Sequence, residues 1–302
     1  MGTALSFAPF RLLLFLSLLA LMASSTPSPP SASAHGPLPA TRKRALTYAV
    51  KHRHPHDPSS FTQGLVASPN RSSLFESTGL YGRSKVREVD IASGEVLEEF
   101  SLRSSEFGEG LALFNRSLYQ LLYQTSRGRV YSPTHLTPLR EFNTPLRTGW
   151  GLCPSADGRH LAASDGSERV YFLDPETLNE RSRITVRDKN TSVKLVNELE
   201  LVNGEIWANV WFTECIARID PNSGSINGWI LLQGLKSEQE QTREPKMGRV
   251  DVLNGIAYED KSNRIFVTGK LWHTLYEIEI REPDEMLGKG METRSMCIPR
   301  QG

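Results

Sequence analysis

FTQGL at residues 61–65, FGEGL at 107–111, TGWGL at 148–152, LVNEL at 195–199 and VLNGI at 252–256 are five versions of one phrase. Their third positions are Gln63, Glu109, Trp150, Asn197 and Asn254, at spacings of 46, 41, 47 and 57 residues. Self-similarity at such a period marks a repeat architecture, in which one unit cannot bury its apolar face without its neighbours. A second apolar stretch follows each phrase: LFESTGL from Leu74, LYQLLYQ from Leu118, LAASDGS from Leu161, IWANVWF from Ile206 and IFVTGKL from Ile265. A third follows each of these, and several end in Asp-Pro or Ser-Gly turn pairs, as in RVYFLDPET from Arg169 and IARIDPNSG from Ile216. The stretches are short and β-rich, with no 3.6-residue pattern of helical length. Five such units predict an all-β chain, a five-bladed β-propeller. A β-sandwich does not explain five phrases in one order at near-even spacing. Residues 48–50, Tyr-Ala-Val, supply a strand able to close the ring and remove a free sheet edge.

The rest of the chain divides around this block. Arg11 precedes an apolar run at residues 12–22, short for a membrane span and suited to a signal-peptide core. The expected organisation is a signal peptide and Ser/Pro-rich leader at 1–34, an N-terminal extension with the closing strand at 35–57, the propeller at 58–281, and a C-terminal tail at 282–302. Residues 233–249 are polar and read as an inserted loop. Sequons at Asn70, Asn115 and Asn190 mark surface loops open to glycosylation and agree with entry into the secretory pathway, whether extracellular, vacuolar or Golgi. Three cysteines, Cys153, Cys215 and Cys297, allow one disulfide with one thiol left over. The net charge of +1, from 35 Lys+Arg against 34 Asp+Glu, comes without a basic stripe and argues against nucleic acid as a partner. No membrane partner is expected once the signal is cleaved. His52, His54 and His56 alternate in a polar, Pro- and Arg-containing leader and read as solvated loop rather than metal ligands.

In a propeller, strand one starts on the face where strand two ends. That rule gathers Gln63, Glu109, Trp150, Asn197 and Asn254 with Tyr123, Trp211 and Lys270, and alternation adds Phe61 and Phe107. Aromatic walls, one carboxylate, amides and one ammonium suit a small amphipathic ligand. Each type also has a plainer reading. An acid between two glycines fits a solvated turn, tryptophans fit a core, and a lysine fits a rim ion pair. No Ser-His-Asp set or metal-ligand spacing competes. The residues by themselves support a pocketed propeller and stop short of a reaction.

FTQGL, ESTGLYG, FGEGL, GWGL, VNELE, GEIWANVW, DVLNGIA and FVTGK, in that order between residues 61 and 280, resemble the plant and bacterial glutaminyl-peptide cyclotransferases. The resemblance implies a five-bladed propeller, unrelated to the zinc-dependent animal type. The activity it implies converts the N-terminal glutamine of peptides and proteins into pyroglutamate, with release of ammonia. It makes Glu109 the catalytic acid/base and assigns substrate binding to Phe61, Gln63, Phe107, Tyr123, Trp150, Asn197, Trp211 and Lys270. Tyr123 stands where the family pattern has tryptophan, and His273 where it tends to have proline. Gln63, Asn197 and Lys270 are all available as oxyanion donors. No cofactor is required for this chemistry, although a structural axial ion held by oxygen donors is compatible with a propeller channel. Two other readings share the same face. A non-catalytic propeller would bind peptide N-termini without releasing ammonia, and a hydrolase with an axial metal would lose activity to a chelator.

Overall fold

A computed structural model describes residues 44–283 and 293–299. The apolar run at 12–22, the leader and most of the tail lie outside the described residues. Within them the chain is all-β, built from four-stranded antiparallel runs. The first run is β2 (Thr62–Ala67), β3 (Ser73–Thr78), β4 (Lys85–Asp90) and β5 (Val96–Ser101). The second is β6 (Gly108–Phe114), β7 (Ser117–Leu122), β8 (Arg127–Tyr131) and β9 (Pro138–Asn143). The third is β10 (Leu152–Pro154), β11 (Leu161–Ser164), β12 (Arg169–Leu173) and β13 (Glu180–Thr185). A small hairpin, β14 (Arg187–Asp188) with β15 (Thr191–Ser192), precedes the fourth run. That run is β16 (Val196–Val202), β17 (Glu205–Val210), β18 (Cys215–Ile219) and β19 (Ile226–Leu231).

The last run, β20 (Leu253–Glu259), β21 (Arg264–Gly269) and β22 (Thr274–Arg281), takes its fourth strand from the other end of the chain. β1 (Arg44–Pro55) pairs antiparallel with β22, with Tyr48 opposite Ile280 and Val50 opposite Ile278. The closing strand expected at Tyr48–Ala49–Val50 is therefore present. It is longer than three residues, and its first part also runs parallel to β19, from Ala45 opposite Trp229 to Leu46 opposite Ile230. The fourth and fifth runs consequently merge into one eight-stranded sheet.

The first strands of the runs pack in a closed cycle: β2 on β6, β6 on β10, β10 on β16, β16 on β20, and β20 back on β2. Being enclosed by neighbours, they are buried on both faces, whereas the outer strand β5 is largely exposed. Five apolar clusters fill the junctions between successive runs. Trp272, Tyr131, Tyr276 and Phe266 are fully enclosed. Each such side chain contributes about 1.5–3 kcal/mol of burial free energy.

The inner cycle is tight enough to require the glycine of the anchor phrase. Gly110 N–H donates to the Trp150 carbonyl at 2.6 Å, and a Cβ on Gly110 would overlap that carbonyl. In the fourth phrase Glu198 replaces the glycine, and its Oε2 accepts from the Ile256 N–H at 3.0 Å, bridging to the next run.

Two expectations change here. Residues 233–249 hold a helix, α1 (Leu235–Thr242), and a 3-10 turn (Pro245–Met247) rather than only loop. The helix is too short to show a period and docks through Leu235 and Gln239, with Gln239 Nε2 donating to the Tyr276 hydroxyl at 2.6 Å. The histidines are not a solvated loop. His52 and His54 lie in β1, and His56 is buried just beyond it. Its Nδ1 is 2.7 Å from the Trp272 carbonyl and its Nε2 is 3.0 Å from Glu76 Oε1. Arg87 completes this buried network, with Nε donating to Glu76 Oε2 at 2.8 Å and NH1 to Asp57 at 2.9 Å. In the tail, the helix α2 (Thr293–Cys297) is tied to β18 by a Cys215–Cys297 disulfide, leaving Cys153 as a buried free thiol.

Candidate active site

One backbone hydrogen bond recurs at the pocket end of four runs. Gly79 N–H donates to the Phe61 carbonyl, Tyr123 to Phe107, Trp211 to Leu195 and Lys270 to Val252, all at 2.8–3.0 Å. It ties the residue after strand two to the residue two places before the third position of the phrase. Tyr123, Trp211 and Lys270 thereby reach the mouth at equivalent places. Just beyond that bond the ladder slips, between Thr62 and Gly64, Gly108 and Leu111, Val196 and Leu199, and Leu253 and Ile256. Such bulges bend a strand and re-aim its side chains. Gln63, Glu109 and Asn197 sit at three of these bulges and face the cavity.

Phe61, Gln63, Phe107, Glu109, Tyr123, Trp150, Asn197, Trp211 and Lys270 line one cavity of about 190 Å³. Asn254, expected at the same mouth, is not among the lining residues. It is fully buried behind Gln63, with Nδ2 donating to the Thr62 carbonyl at 2.9 Å and to Gln63 Oε1 at 3.2 Å. Gln63 Nε2 in turn donates to Glu109 Oε1 at 3.1 Å. Asn254 thus holds the Gln63 amide with its NH₂ toward the carboxyl.

The walls are aromatic. Phe61 and Phe107 meet edge to face at 6.1 Å, Phe107 meets Tyr123 at 5.4 Å, and Trp150 meets Trp211 edge to face at 5.3 Å. Trp150 Nε1 donates to Thr148 Oγ1 at 3.0 Å, which fixes the indole. Its ring covers Gly166, a left-handed position at φ 78° where a side chain would be strained and would strike the indole. Lys270 Nζ sits 4.8 Å from the Phe61 ring centroid and 5.8 Å from that of Trp211. Cation–π attraction holds the ammonium there without a hydrogen bond to another described residue.

Burial governs the electrostatics. It pushes the Glu109 carboxyl well above the usual carboxylate range, and Lys270 opposes that rise. It also lowers the Lys270 ammonium, which Glu109 and Asp251 partly restore. A carboxyl raised above its ordinary range holds a proton more readily than a solvated one, which suits a group that must take a proton and return it.

Beneath the cavity Glu198 and Glu200 are buried as well. Burial raises Glu198 well above its ordinary value and moves Glu200 to about 8. Backbone N–H groups of Ile256 and Tyr258 donate to them at 3.0 and 2.8 Å. Among the described residues no three His, Cys, Asp or Glu side chains converge as a metal-ligand group. Glu198 Oε1 and Asn254 Oδ1 are buried without a hydrogen-bond partner among the described residues.

Two further aromatics at the rim escaped the sequence reading. Tyr81 stands edge-on to Phe107 at 5.4 Å, and Phe212 stacks on Trp211 at 4.0 Å while 67 % exposed. Each sits at or one or two places past a strand-two end (Gly79 and Trp211), and that position was their only signal. Asn70, Asn115 and Asn190 are exposed, the last in the tight turn between β14 and β15.

A family model described as glutamine cyclotransferase matches residues 16–280. A glutaminyl-peptide cyclotransferase of Arabidopsis thaliana is 42% identical over 242 residues, covering 80% of this chain and 74% of the relative. The crystal structure of Myxococcus xanthus glutaminyl cyclase matches with a TM-score of 0.73 and 31% identity, covering 80% of this chain and 100% of that one.

Proposed function

We propose that this chain, which belongs to the glutamine cyclotransferase family, works through Glu109 at the cavity between its first strands. The chain is an enzyme, a glutaminyl-peptide cyclotransferase, and its substrates are peptides and proteins with an N-terminal glutamine. The glutamine becomes pyroglutamate and ammonia leaves. The observation that carries the site reading is the convergence of one buried carboxyl, an ammonium, two amides and five aromatic rings on a cavity sized for a single residue.

The mechanism follows from what the reaction needs. The substrate's α-ammonium gives a proton to the Glu109 carboxylate. The freed amine nitrogen attacks the side-chain amide carbon, closing a five-membered ring and leaving an oxyanion. Glu109 returns that proton to the amide nitrogen, the oxyanion collapses and the carbon–nitrogen bond breaks. Glu109 then takes the second proton from the ring nitrogen and passes it to the departing ammonia, which leaves as ammonium. Attack is intramolecular, so aromatic walls that keep the side chain curled over the amine remove much of the entropic barrier. Gln63 is engaged with Glu109 and orients it. The Asn197 amide and the Lys270 ammonium make no hydrogen bond to another described residue and are free to donate to the oxyanion. One carboxyl relaying both protons that leave the α-nitrogen completes the cycle, so the reading requires no cofactor.

The architecture is read as a five-bladed β-propeller over residues 58–281, closed by the strand within 35–57, with a leader at 1–34 and a tail at 282–302. The closed cycle of first strands and the apolar cluster at each junction support it. Passage through the secretory pathway, with glycosylation at Asn70, Asn115 and Asn190, is supported by the Cys215–Cys297 disulfide and the exposure of all three asparagines. No helix among the described residues is long and apolar enough to cross a membrane.

The test is ammonia release from a short peptide beginning in glutamine, with a Glu109→Ala arm and a chelator arm. Release that survives chelation and vanishes with Glu109 supports the assignment. Release that persists in a folded Glu109→Ala protein overturns it.

A further inference from the structure

A cavity of about 190 Å³ is smaller than the roughly 300–1,000 Å³ that encloses a drug-sized ligand. It accommodates the N-terminal glutamine, and the remainder of a peptide must leave over the rim. A second cavity, of about 640 Å³, adjoins the first and shares Tyr123 and Trp150 with it. It lies between the turn after β7, which carries Gln124, and the segment entering β10, which carries Arg147. The turn carries two residues in the left-handed region, Gln124 at φ 53° and Ser126 at φ 50°. Thr125 Oγ1 and Thr148 Oγ1 are occupied by contacts within their own segments. Arg147 is exposed and is the one charged residue lining this cavity. It makes no ion pair or hydrogen bond with another described residue, whereas Arg103, Arg127 and Arg129 all face Glu141.

We propose that this groove receives the one or two residues that follow the N-terminal glutamine, and that Arg147 makes the enzyme prefer an acidic side chain there. The inference rests on the assignment of the adjoining cavity as the glutamine site. The two cavities share a wall, so a chain leaving the first over Tyr123 and Trp150 enters the second directly. A free guanidinium in an otherwise uncharged groove attracts a carboxylate and disfavours an ammonium. The site is open to water, so the preference is modest and salt-sensitive.

The experiment compares kcat/KM for C-terminally amidated peptides carrying Glu, Ala or Lys at position 2 or 3, for the wild type and for Arg147→Glu. The expected result is a preference for Glu over Ala of about 2–5-fold at one of these positions. It should shrink in 1 M salt and reverse in Arg147→Glu. An order unchanged by Arg147→Glu overturns the inference and leaves the glutamine site standing. A preference for apolar residues that responds to Phe212→Ala or Tyr81→Ala instead would send the chain over the aromatic rim and overturn it equally. No ammonia from any peptide would remove the glutamine site and this inference together.

Discussion

The Gln63 amide donates to Glu109 Oε1 at 3.1 Å, and Asn254 holds that amide in place from behind. The contact spans 46 residues of sequence and joins the first two repeats across the axis. It leaves the other carboxyl oxygen of Glu109 for substrate. Glu109→Gln keeps the size of the side chain and removes its proton chemistry. Turnover should fall by about 10²–10⁴ with little change in thermal stability. Ammonia release and a melting curve on the same preparation check this.

The pH profile should carry the mark of burial. Glu109 acts as a base only when ionised, and its folded-state pKa is raised, so activity rises with pH through a limb above the usual carboxylate range. Lys270 is the group that opposes the rise. Lys270→Met should therefore move the limb to still higher pH, beyond any loss of about 10²–10³ in turnover from a missing oxyanion donor. Comparing kcat/KM against pH for the two proteins on one substrate cancels the titration of the substrate amine. A limb that stays put would show that Glu109 does not sense Lys270.

Both ring nitrogens of His56 face acceptors, the Trp272 carbonyl and Glu76, so the buried ring is held as imidazolium. Its folded pKa is raised, and its contribution is complete below about 6.5 and lost as pH climbs through the folded value. Glu76 is held well below its ordinary range, so its contribution is present above about 4.3 and lost as pH falls through the folded value. Stability from this pair should peak between those limits. Glu76→Gln, which leaves Arg87 buried without its main partner, should cost about 3–5 kcal/mol. Melting temperature against pH, for wild type and His56→Gln, should show the alkaline decline flattened in the variant.

The Cys215–Cys297 bond closes a separation of 82 residues and ties the tail helix to β18. Cys297→Ser should lower stability by about 2–4 kcal/mol. Neither cysteine lines the cavity, so kcat/KM at room temperature should be unchanged. Calorimetry and a peptide assay separate the two effects.

The anchor phrases determined a great deal without coordinates. Their period announced repeated β units, their third positions supplied the carboxyl and amides of the site, and strand polarity placed Tyr123, Trp211 and Lys270 beside them. These features are local, since repetition and strand direction are written into short stretches of chain. Tertiary contact decided the rest. Asn254, equivalent to Asn197 by sequence and placed at the same kind of bulge, ends up supporting Gln63 rather than lining the cavity. His56 looks like a solvated leader residue until Glu76 and the Trp272 carbonyl close over it. Of three cysteines, proximity picks the pair. Arg147 is one exposed arginine among many in the sequence, and only the placement of two loops sets it beside the pocket. Each of these depends on residues distant in sequence meeting across a repeat junction, where the free energy of burial, rather than local propensity, selects the arrangement.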